Sequence, residues 1–455
     1  MSLFANPSHQ LEETSGLKLT MAIILIGMLD EREPALRFAK KEIMACGHDA
    51  ILIDISIGNG AILPTVQANM DNRRIAAAGG ASLEEFHTLL NTNRERVTTI
   101  MAEGLTKELS AAHRAGQVDG VLAVTGMTGA MICLPLLKKL PYGLPKVLIT
   151  SVAAMPAYAS KLARFFGSND ITVMHSVVDT VGLNTMVKRL LTNGVAAICG
   201  MAEARCDDVT SKPTIAITEF GFCDTGAQFI RDRLDLAFDV ISFHATGVGE
   251  LAALNFIRHG GFEAFIDLVP AGFSEYLLGG NRGLGPDRFD AGLESGRPYL
   301  LAPCGFDMIG CGPIERRDQK DPLWIKRDLS RRQLLIQDAM RVQARTNVEE
   351  MQTIARQTAN HLNRANAPHL VKFFIPLLGF SSASIRGGAL YNPDADRAFI
   401  ATLKKLLNPS IEIIEVEDEI NSPHFADAIT NVLFKMLDDK RSSSQPPVTN
   451  ECLSQ

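Results

Sequence analysis

The sequence has no cluster of basic residues and no long apolar run, and each absence excludes a class of protein. Lysine and arginine number 45 against 51 aspartates and glutamates, and the formal charge of −6 is spread without a basic block. Nucleic acid is not expected as the main partner, because neutralising phosphate charge needs clustered lysines and arginines. The uncharged run Val121–Leu137 is shorter than the ~20 residues of a membrane-spanning helix and is broken by Gly126, Gly129 and Pro135, so we expect no membrane segment.

The chain also lacks any CxxC motif among its eight cysteines, and no histidine stands at zinc-ligand spacing from a cysteine pair. Cys199/Cys206 and Cys304/Cys311 share one spacing, but without further ligands nearby they indicate no metal site. Buried, unpaired thiols in a reducing compartment explain this pattern best. The N-terminal segment SHQLEETSG carries two glutamates and no apolar core of a signal peptide, so we expect a cytoplasmic protein.

Short runs rich in β-branched residues alternate with helix-like segments along the chain. Near-continuous apolar strands alternating with helices are typical of parallel sheets covered on both faces. A polar segment, 201–212, is closed by Pro213, and each half opens with a strand that ends in glycine, Gly27 or Gly221. We therefore predict the α/β class, with two Rossmann-like doubly wound domains whose mainly parallel sheets face each other across a cleft.

The sequence delimits several of these elements. The predicted strands are Met21–Ile26, Ala50–Ile57, Gly120–Val124, Lys146–Thr150, Thr214–Thr218, Asp239–His244, Ala264–Leu268, Val371–Ile375 and Ile411–Val416. A helical pattern covers Leu83–Arg114, with Ser82 and Glu85 as a capping box. The predicted domains are an N-terminal extension (1–18), a nucleotide-binding α/β domain (19–205), a second α/β domain (212–438) and a disordered tail (439–455).

The most informative loop follows a predicted strand and leads into the apolar helix MICLPLLKKL. Ligands of open α/β sheets bind beyond the carboxyl ends of the strands. Glycines there let backbone N–H groups approach an anion, and the helix dipole favours negative charge. No lysine follows, so this is not a Walker P-loop, and a tight strand-to-helix turn is an equally good interpretation. The loop consists of Thr125, Gly126, Met127, Thr128, Gly129 and Ala130.

Residues in and around other predicted strands and loops could complete the same crevice. Asp30 or Asp54 could hold a ribose hydroxyl or a metal-bound phosphate, and Ser151 could donate to a phosphate oxygen. These are also residue types that commonly cap helices or form turns. The full set of such residues is Gly27, Asp30, Asp54, Ser151, Asn169 and Asp170.

In the second half, His244 ends a strand and could act as a general acid or base, with Asp267 or Glu275 as its partner. A histidine that only orders its loop fits equally well. Gly247-x-Gly249-x-x-Ala252 also matches a permissive dinucleotide fingerprint, although it follows the second strand of its domain rather than the first.

A later loop offers Arg282 and Arg288, which could clamp an anion. Cys304 follows another strand and is a conceivable nucleophile. Without a sign of a lowered pKa, an inert thiol is the favoured interpretation.

Taken together, these segments resemble the ATP-binding domain family named after the tomato mosaic virus resistance protein. The matching phrases are GMLDEREPALRFAK, DGVLAVTGMTGAM, LPYGLPKVLITSVA, GSNDITVMHSVVD, FGFCDTGA, FHATGVGE, GPDRFDAG, CGFDMIGCGP, YNPDADRAF and EVEDEINSPHFADA. The resemblance implies two Rossmann-like domains with a nucleotide site in the first. Asp30, Gly126, Gly129, Asp170 and His244 fall on family positions.

The sequence departs from the family in both glycine loops. Relatives carry a threonine and a later Lys-Gly pair in the first loop, whereas this chain has Met, Leu, Asp, Glu and Arg within 27–33. The second loop is almost all glycine in relatives, and here Thr125, Met127, Thr128 and Ala130 intrude. These side chains, which replace glycines of the family loop, leave less space for a phosphate group beside the backbone.

We predict a protein that binds ATP, with or without Mg²⁺, or another small phosphorylated or anionic ligand. One alternative is an enzyme whose chemistry lies in the interdomain cleft. A second alternative is a non-catalytic, nucleotide-dependent module that binds another protein, and a third is an NAD(P)-dependent oxidoreductase. We also expect a homo-oligomer.

Overall fold

A computed structural model of the chain describes residues 22–156, 162, 165–204, 212–258 and 260–444. The predicted N-terminal extension and residues 445–455 of the predicted tail lie outside the described residues. The chain divides into two compact units, Leu3–Val209 and a second unit that begins at Thr210. In the described residues, no helix has the length and apolar character that crossing a bilayer requires.

The first unit is built on a five-stranded sheet in which every neighbouring pair is parallel. Its strands are β1 (Ala22–Gly27), β2 (Asp49–Asp54), β3 (Val118–Thr125), β4 (Lys146–Thr150) and β5 (Thr172–His175). The helices are α1 (Leu29–Ala45), α2 (Asn72–Ala78), α3 (Leu83–Thr92), α4 (Arg94–Arg114), α5 (Met127–Lys139) and α6 (Thr185–Glu203). The strand order β2-β1-β3-β4-β5 is doubly wound and reverses between β1 and β3.

The two faces of this sheet bury separate cores. Ile23 and Leu25 of β1 pack with residues of α1 and α6, whereas Ile24 and Ile26 pack with residues of α4 and α5. Successive side chains of a strand point to opposite faces, so a strand covered on both sides must be apolar throughout. This explains why β1 reads as the continuous run AIILIG.

The second unit repeats this design around a six-stranded parallel sheet. Its main strands are β6 (Thr214–Glu219), β7 (Asp239–His244), β8 (Ala264–Asp267), β9 (Tyr299–Leu301), β13 (Val371–Pro376) and β14 (Glu412–Val416). The order β14-β13-β9-β8-β6-β7 reverses between β6 and β8. A three-stranded antiparallel sheet is formed by β10 (Met308–Gly310), β11 (Leu334–Ile336) and β12 (Val342–Arg345). The predicted fold class, two Rossmann-like domains with mainly parallel sheets, is confirmed.

Nine helices and two short 3-10 helices (Leu329–Arg331 and Pro368–Leu370) complete the described part of the second unit. The helices are α7 (Asp224–Leu234), α8 (Val248–Arg258), α9 (Ala271–Leu278), α10 (Asp290–Glu294), α11 (Glu315–Asp318), α12 (Pro322–Lys326), α13 (Val348–Leu362), α14 (Pro393–Leu406) and α15 (Pro423–Ser444).

Three local predictions need correction. The predicted helix over 83–114 is two helices, because Asn93 leaves the helical conformation and its side chain accepts from the Arg96 N–H to cap α4. Ser82 is the N-cap residue before α3, but its side chain makes no capping hydrogen bond, so the predicted capping box does not form. The predicted disordered tail begins too early, since α15 continues to Ser444.

Candidate functional site

The loop after β3 follows a strand and leads into a helix, as the sequence predicts, and the strand order places it at the switch point of the first sheet. Gly126 is the N-cap of α5, and no side chain caps this helix end. The first intrahelical bond runs from the Ala130 N–H to the Gly126 carbonyl at 2.9 Å. The N–H groups of the first turn therefore have no helical acceptor, and they carry the positive end of the helix dipole.

A buried arginine from α1 lies against this helix end. Arg32 is 3% exposed, and its Nη2 atom is 2.5 Å from the position that a Cβ on Gly126 would occupy. Glycine at 126 thus allows a guanidinium group to pack on the backbone at the start of α5. The backbone of Arg32 departs from helical geometry within α1, with φ −130° and ψ 21°.

The loop after β5 supplies partners for this guanidinium. The Nε of Arg32 donates to Thr180 Oγ1 at 3.0 Å, and Nη2 donates to Asp179 Oδ1 at 2.9 Å. Arg32 also pairs with Glu31. The same loop contains Val177 with φ 61°, a left-handed conformation that strains a β-branched residue. Three chain segments therefore meet at the N-terminal end of α5. They are the start of α1, the loop after β3 and the loop after β5.

Asp54, a predicted ligand residue, instead fixes the first turn of α1. Its Oδ1 atom accepts from the Leu29 N–H at 3.1 Å, from the Ser56 N–H at 2.9 Å and from the Ser56 hydroxyl. Burial raises the pKa of the Asp54 carboxyl, against the effect of these hydrogen bonds. The side chain therefore positions the first turn of α1, in which Asp30 and Arg32 lie.

Asp30 is buried beside the same switch point. Its Oδ2 atom accepts from the Gly60 N–H at 3.0 Å, and its carbonyl accepts from the Ile62 N–H at 2.8 Å. A Cβ on Gly60 would lie 2.1 Å from that carbonyl, so only glycine permits this approach. Asp30 Oδ1 and Thr125 Oγ1 are both buried and have no hydrogen-bond partner among the described residues. Buried polar atoms without partners are rare and need an explanation.

The remaining residues of the predicted loop divide into two groups. A Cβ on Gly129 would lie 3.0 Å from the side chain of Thr125, and Ala130 is buried, so both residues serve packing. Met127 and Thr128 are half-buried in the first turn of α5. Gly27 packs against Leu36, whose Cδ2 would lie 2.6 Å from an added Cβ.

Asn169 and Asp170 do not join this site. Asp170 pairs with Lys146 Nζ at 2.5 Å and accepts from the Gly143 N–H at 2.7 Å, and Lys146 is the first residue of β4. The pair therefore lies at the amino edge of the sheet, about 13 Å from the carboxyl edge at the ~3.3 Å rise of a strand. The sequence placed them wrongly because their loop precedes β5 instead of following a strand. Ser151 does follow β4 and is half-buried at the carboxyl edge.

In the second unit, the predicted catalytic partner Asp267 belongs to a buried ionic network. Its Oδ1 accepts from Thr218 Oγ1 at 2.6 Å, its Oδ2 accepts from Tyr299 Oη at 2.8 Å, and Arg288 donates to both oxygens at 2.8 and 3.0 Å. Arg288 Nε also donates to Glu250 at 2.7 Å. Every member is fully buried, so Arg288 clamps the protein's own carboxylates rather than a ligand, and Asp267 is not available to His244.

Glu275 and Arg282 form a second internal pair. The Nε of Arg282 donates to Glu275 Oε1 at 3.0 Å, and the Gly310 N–H donates to the same atom at 2.7 Å. His244 is exposed at the end of β7, where its Nδ1 contacts Thr246 Oγ1 at 3.2 Å. These contacts do not join His244 to either predicted carboxylate partner. Burial, together with the neighbouring Cys223 thiol, raises the pKa of Cys304 well above its usual range, which agrees with an inert thiol.

A third buried ion pair, between Arg345 and Asp396, was not indicated by the sequence. We expect it to make the stability of the protein depend on pH. Burial raises the pKa of Asp396 to about 6, although Arg345 Nη2 lies 2.5 Å from its Oδ1. The folded state therefore holds a proton that the unfolded chain releases, and this contribution to stability falls as the pH rises towards 6. Asparagine at 396 stays neutral throughout.

We expect the free energy of unfolding of wild type, relative to Asp396→Asn, to fall by roughly 2 kcal/mol between about pH 4 and about pH 6. Over this range only the folded chain keeps the proton, and each pH unit then changes the free energy by at most about 1.4 kcal/mol. Urea titrations of both proteins at several pH values measure the difference. A difference that does not change with pH would contradict the raised pKa.

The fold defines a two-domain Rossmann-like α/β protein, and in its first domain a buried arginine lies against the uncapped N-terminal end of α5. The chain belongs to the uncharacterised protein family UPF0261, whose N-terminal domain model matches residues 21–207 and whose C-terminal domain model matches residues 212–437.

Relatives of similar length occur in bacteria. A UPF0261 protein of Clostridium tetani is 29% identical over 91% of this chain and 99% of its own length. A UPF0261 protein of Rhizobium meliloti is 29% identical over 89% of this chain and 96% of its own. The ToMV resistance protein Tm-1(GCR237) of Solanum lycopersicum is 27% identical over 78% of this chain, which corresponds to 46% of that longer protein.

Among solved structures, a Streptomyces glycosyltransferase, SsfS6, complexed with thymidine diphosphate, covers 90% of this chain and 99% of its own at 11% identity. Its TM-score of 0.17 is too low to inform fold or function. The sequence match to the tomato resistance protein confirms the resemblance seen in the sequence. ATP binding stays a prediction.

Proposed function

We propose that the first domain binds ATP or another phosphorylated small molecule, with a phosphate group against the first turn of α5 and the guanidinium of Arg32. The observation that carries this proposal is the position of Arg32 Nη2 on Gly126, at the uncapped start of a helix. The Arg32 guanidinium and the N–H groups at the start of α5 therefore lie side by side, at the switch point of a doubly wound sheet. Relatives carry a Lys-Gly pair in the first glycine loop that this chain lacks. In this proposal, Arg32 supplies the positive charge in place of that lysine.

The carboxylates around Arg32 support a ligand that carries Mg²⁺. Glu31 and Asp179 already pair with the guanidinium, and Asp30 lies beside Glu31 in the first turn of α1, so a bare phosphate would meet negative charge. In the described residues, no group of three or more histidines, cysteines, aspartates or glutamates is placed to hold a metal alone. Mg²⁺ is usually bound by one or two carboxylates plus substrate phosphates, so the cation would arrive with the nucleotide.

A thermal-shift series tests this proposal. Adenosine, AMP, ADP and ATP are compared with and without Mg²⁺. Phosphorylated sugars are included as other ligands that carry a phosphate group. A ligand that binds only the folded state stabilises by about 2.7 kcal/mol at 100 times its dissociation constant. We expect the melting temperature to rise with Mg²⁺-ATP and to respond less to adenosine. No response to any phosphorylated ligand at millimolar concentration would contradict the proposal.

A binding role is better supported than catalysis. Asp267 and Glu275, the carboxylates expected to assist His244, are both occupied by arginines of the protein itself, Arg288 and Arg282. The candidate dinucleotide loop follows β7, which is an edge strand away from the switch point, and its Gly247 N–H bonds to Glu250 at 3.3 Å. We therefore favour a nucleotide-dependent binding module over an enzyme or an NAD(P)-dependent oxidoreductase. Turnover of a nucleotide or metabolite by the purified protein would contradict this preference.

A further inference from the structure

One cysteine of the first domain differs from the others in its exposure. Among the described residues, Cys46 is exposed, whereas the other five cysteines are buried. Cys46 is the C-cap residue of α1, and its N–H donates to the carbonyls of Glu42 and Ile43 at 3.0 and 3.1 Å. Gly47 follows with φ 88°, a left-handed conformation that turns the chain away from the helix. Backbone hydrogen bonds therefore hold an exposed thiol at the end of α1.

A second thiol, that of Cys199, lies on the helix that packs against α1. The strands of the first sheet are all parallel and α1 and α6 each follow a strand, so both helices end at the same edge of the sheet. On α6, Leu191, Val195 and Cys199 recur every four residues and therefore share one face of the helix. These three residues belong to one apolar core with Ala39 and Ile43 of α1.

The ends of the two helices meet at two contacts. His48, which follows α1, places its Nε2 atom 3.0 Å from Oε1 of Glu203, the last residue of α6. At the same junction, the thiol of Cys46 lies in hydrogen-bond contact with the thiol of Cys199, which is 4% exposed. Cys46 lies one turn after Ile43, and Cys199 lies one turn before Glu203. The packing of the two helices therefore brings the two sulfurs together.

We propose that Cys46 and Cys199 form a site of reversible oxidation, at which hydrogen peroxide converts the two thiols into a disulfide. In the first step the Cys46 sulfur attacks a peroxide oxygen, the O–O bond breaks, and a sulfenic acid and water are formed. In the second step the Cys199 sulfur attacks the Cys46 sulfur, the S–S bond forms and the S–O bond breaks. The thiols lose two electrons and their two protons, and the peroxide is reduced to two waters.

Exposure decides which sulfur reacts first. Peroxide reaches Cys46 from the solvent, whereas Cys199 is buried. Burial, together with the neighbouring Cys46, raises the pKa of the Cys199 thiol to about 12. Because the thiolate is the nucleophile, Cys199 does not compete for peroxide, and the second step is the slower one. We therefore expect the disulfide to form over roughly minutes to hours.

The oxidation site is separate from the proposed phosphate site. Cys46 follows the last residue of α1, a helix of 17 residues that is about 25 Å long, whereas Arg32 lies in its first turn. The disulfide would join α1 to α6 at the opposite edge of the sheet. It would close a loop of about 150 residues, which restricts the unfolded chain and so stabilises the oxidised domain.

Peptide mapping of the full chain tests the site. The protein is treated with hydrogen peroxide, its remaining thiols are blocked with N-ethylmaleimide, and it is digested with trypsin without a reductant. Cleavage after lysine and arginine places Cys46 in peptide 42–73 and Cys199 in peptide 190–205, whereas Cys206 begins the next peptide. We expect mass spectrometry to find 42–73 linked to 190–205, and dithiothreitol to separate the two peptides.

Two variants separate the steps. Cys46→Ser should form no cross-link and should keep Cys199 reduced, because the exposed thiol that meets peroxide is gone. Cys199→Ala should stop at the sulfenic acid, so dimedone should label peptide 42–73 at least about tenfold more than in wild type, since no resolving thiol remains. Cys46→Ser changes an exposed side chain, so it keeps the proposal testable if Cys199→Ala does not fold.

The second domain contains an internal control. Cys223 and Cys304 are also neighbouring thiols, but both are fully buried, so they should stay reduced under the same treatment. A wild-type protein in which Cys46 and Cys199 stay unlinked would overturn the proposal, and so would a link from Cys46 to Cys206. Oxidation of Cys199 in Cys46→Ser to the same extent as in wild type would overturn it as well.

Discussion

Replacing Arg288 with methionine should lower the free energy of unfolding by about 3–5 kcal/mol, because it leaves the buried carboxylates of Asp267 and Glu250 without their cation. Both carboxylates and the guanidinium are fully buried, so water cannot compensate for the loss. Methionine has a similar volume and limits the effect of a cavity. Urea unfolding followed by circular dichroism measures the change.

Arg297→Met is the matched control, since Arg297 pairs with Glu263 at 2.7 Å on the partly exposed surface of the same domain. Surface pairs contribute at most about 1 kcal/mol. Tyr299→Phe removes one hydrogen bond to Asp267 and should cost about 1 kcal/mol, which keeps the network testable if Arg288→Met does not fold. Equal losses for Arg288→Met and Arg297→Met would show that the buried network does not stabilise the domain.

Replacing Arg32 with glutamine should weaken Mg²⁺-ATP binding about 10- to 100-fold while the protein stays folded. A hydrogen bond to a charged group is worth about 1.5–3 kcal/mol, and each 1.4 kcal/mol corresponds to a factor of about ten in affinity. Glutamine places an amide where the Nε of Arg32 lies, within reach of Thr180, but removes the positive charge beside Gly126. Titration calorimetry with Mg²⁺-ATP measures the affinity.

Arg37→Gln provides the comparison, because Arg37 lies on the same helix and is 63% exposed. It should bind Mg²⁺-ATP as wild type does. If Arg32→Gln and wild type bind with the same affinity, the phosphate does not contact this guanidinium.

The sequence predicts most strands of the parallel sheets, because the central strands are apolar on both faces, but it does not predict the edge strand β5. β4 and β7 are predicted with their observed bounds, and β1 within one residue. The three-residue strands β10 and β11 are not predicted, since such short segments carry no periodicity. The break at Asn93 is missed because the apolar spacing continues across it and only the side chain of Asn93 marks the new helix.

The candidate site is predicted only in part. The loop after β3 is found because a strand followed by glycine and a helix is a local signal. Arg32 is not selected, since its role depends on contact with Gly126, which lies 94 residues further along the chain. In the same way, the carboxylate Asp267 has the residue type of a catalytic group, and only its four buried contacts show that it is structural.

A crystal structure of the protein with Mg²⁺ and a non-hydrolysable ATP analogue would locate the phosphate directly. We expect phosphate oxygens within hydrogen-bond distance of the N–H groups in the first turn of α5 and of the Arg32 guanidinium, with Mg²⁺ between the phosphates and a carboxylate of Asp30, Glu31 or Asp179. Phosphate density at the Gly247–Gly249 loop of the second domain, with Arg32 still paired to Asp179, would contradict the proposed site.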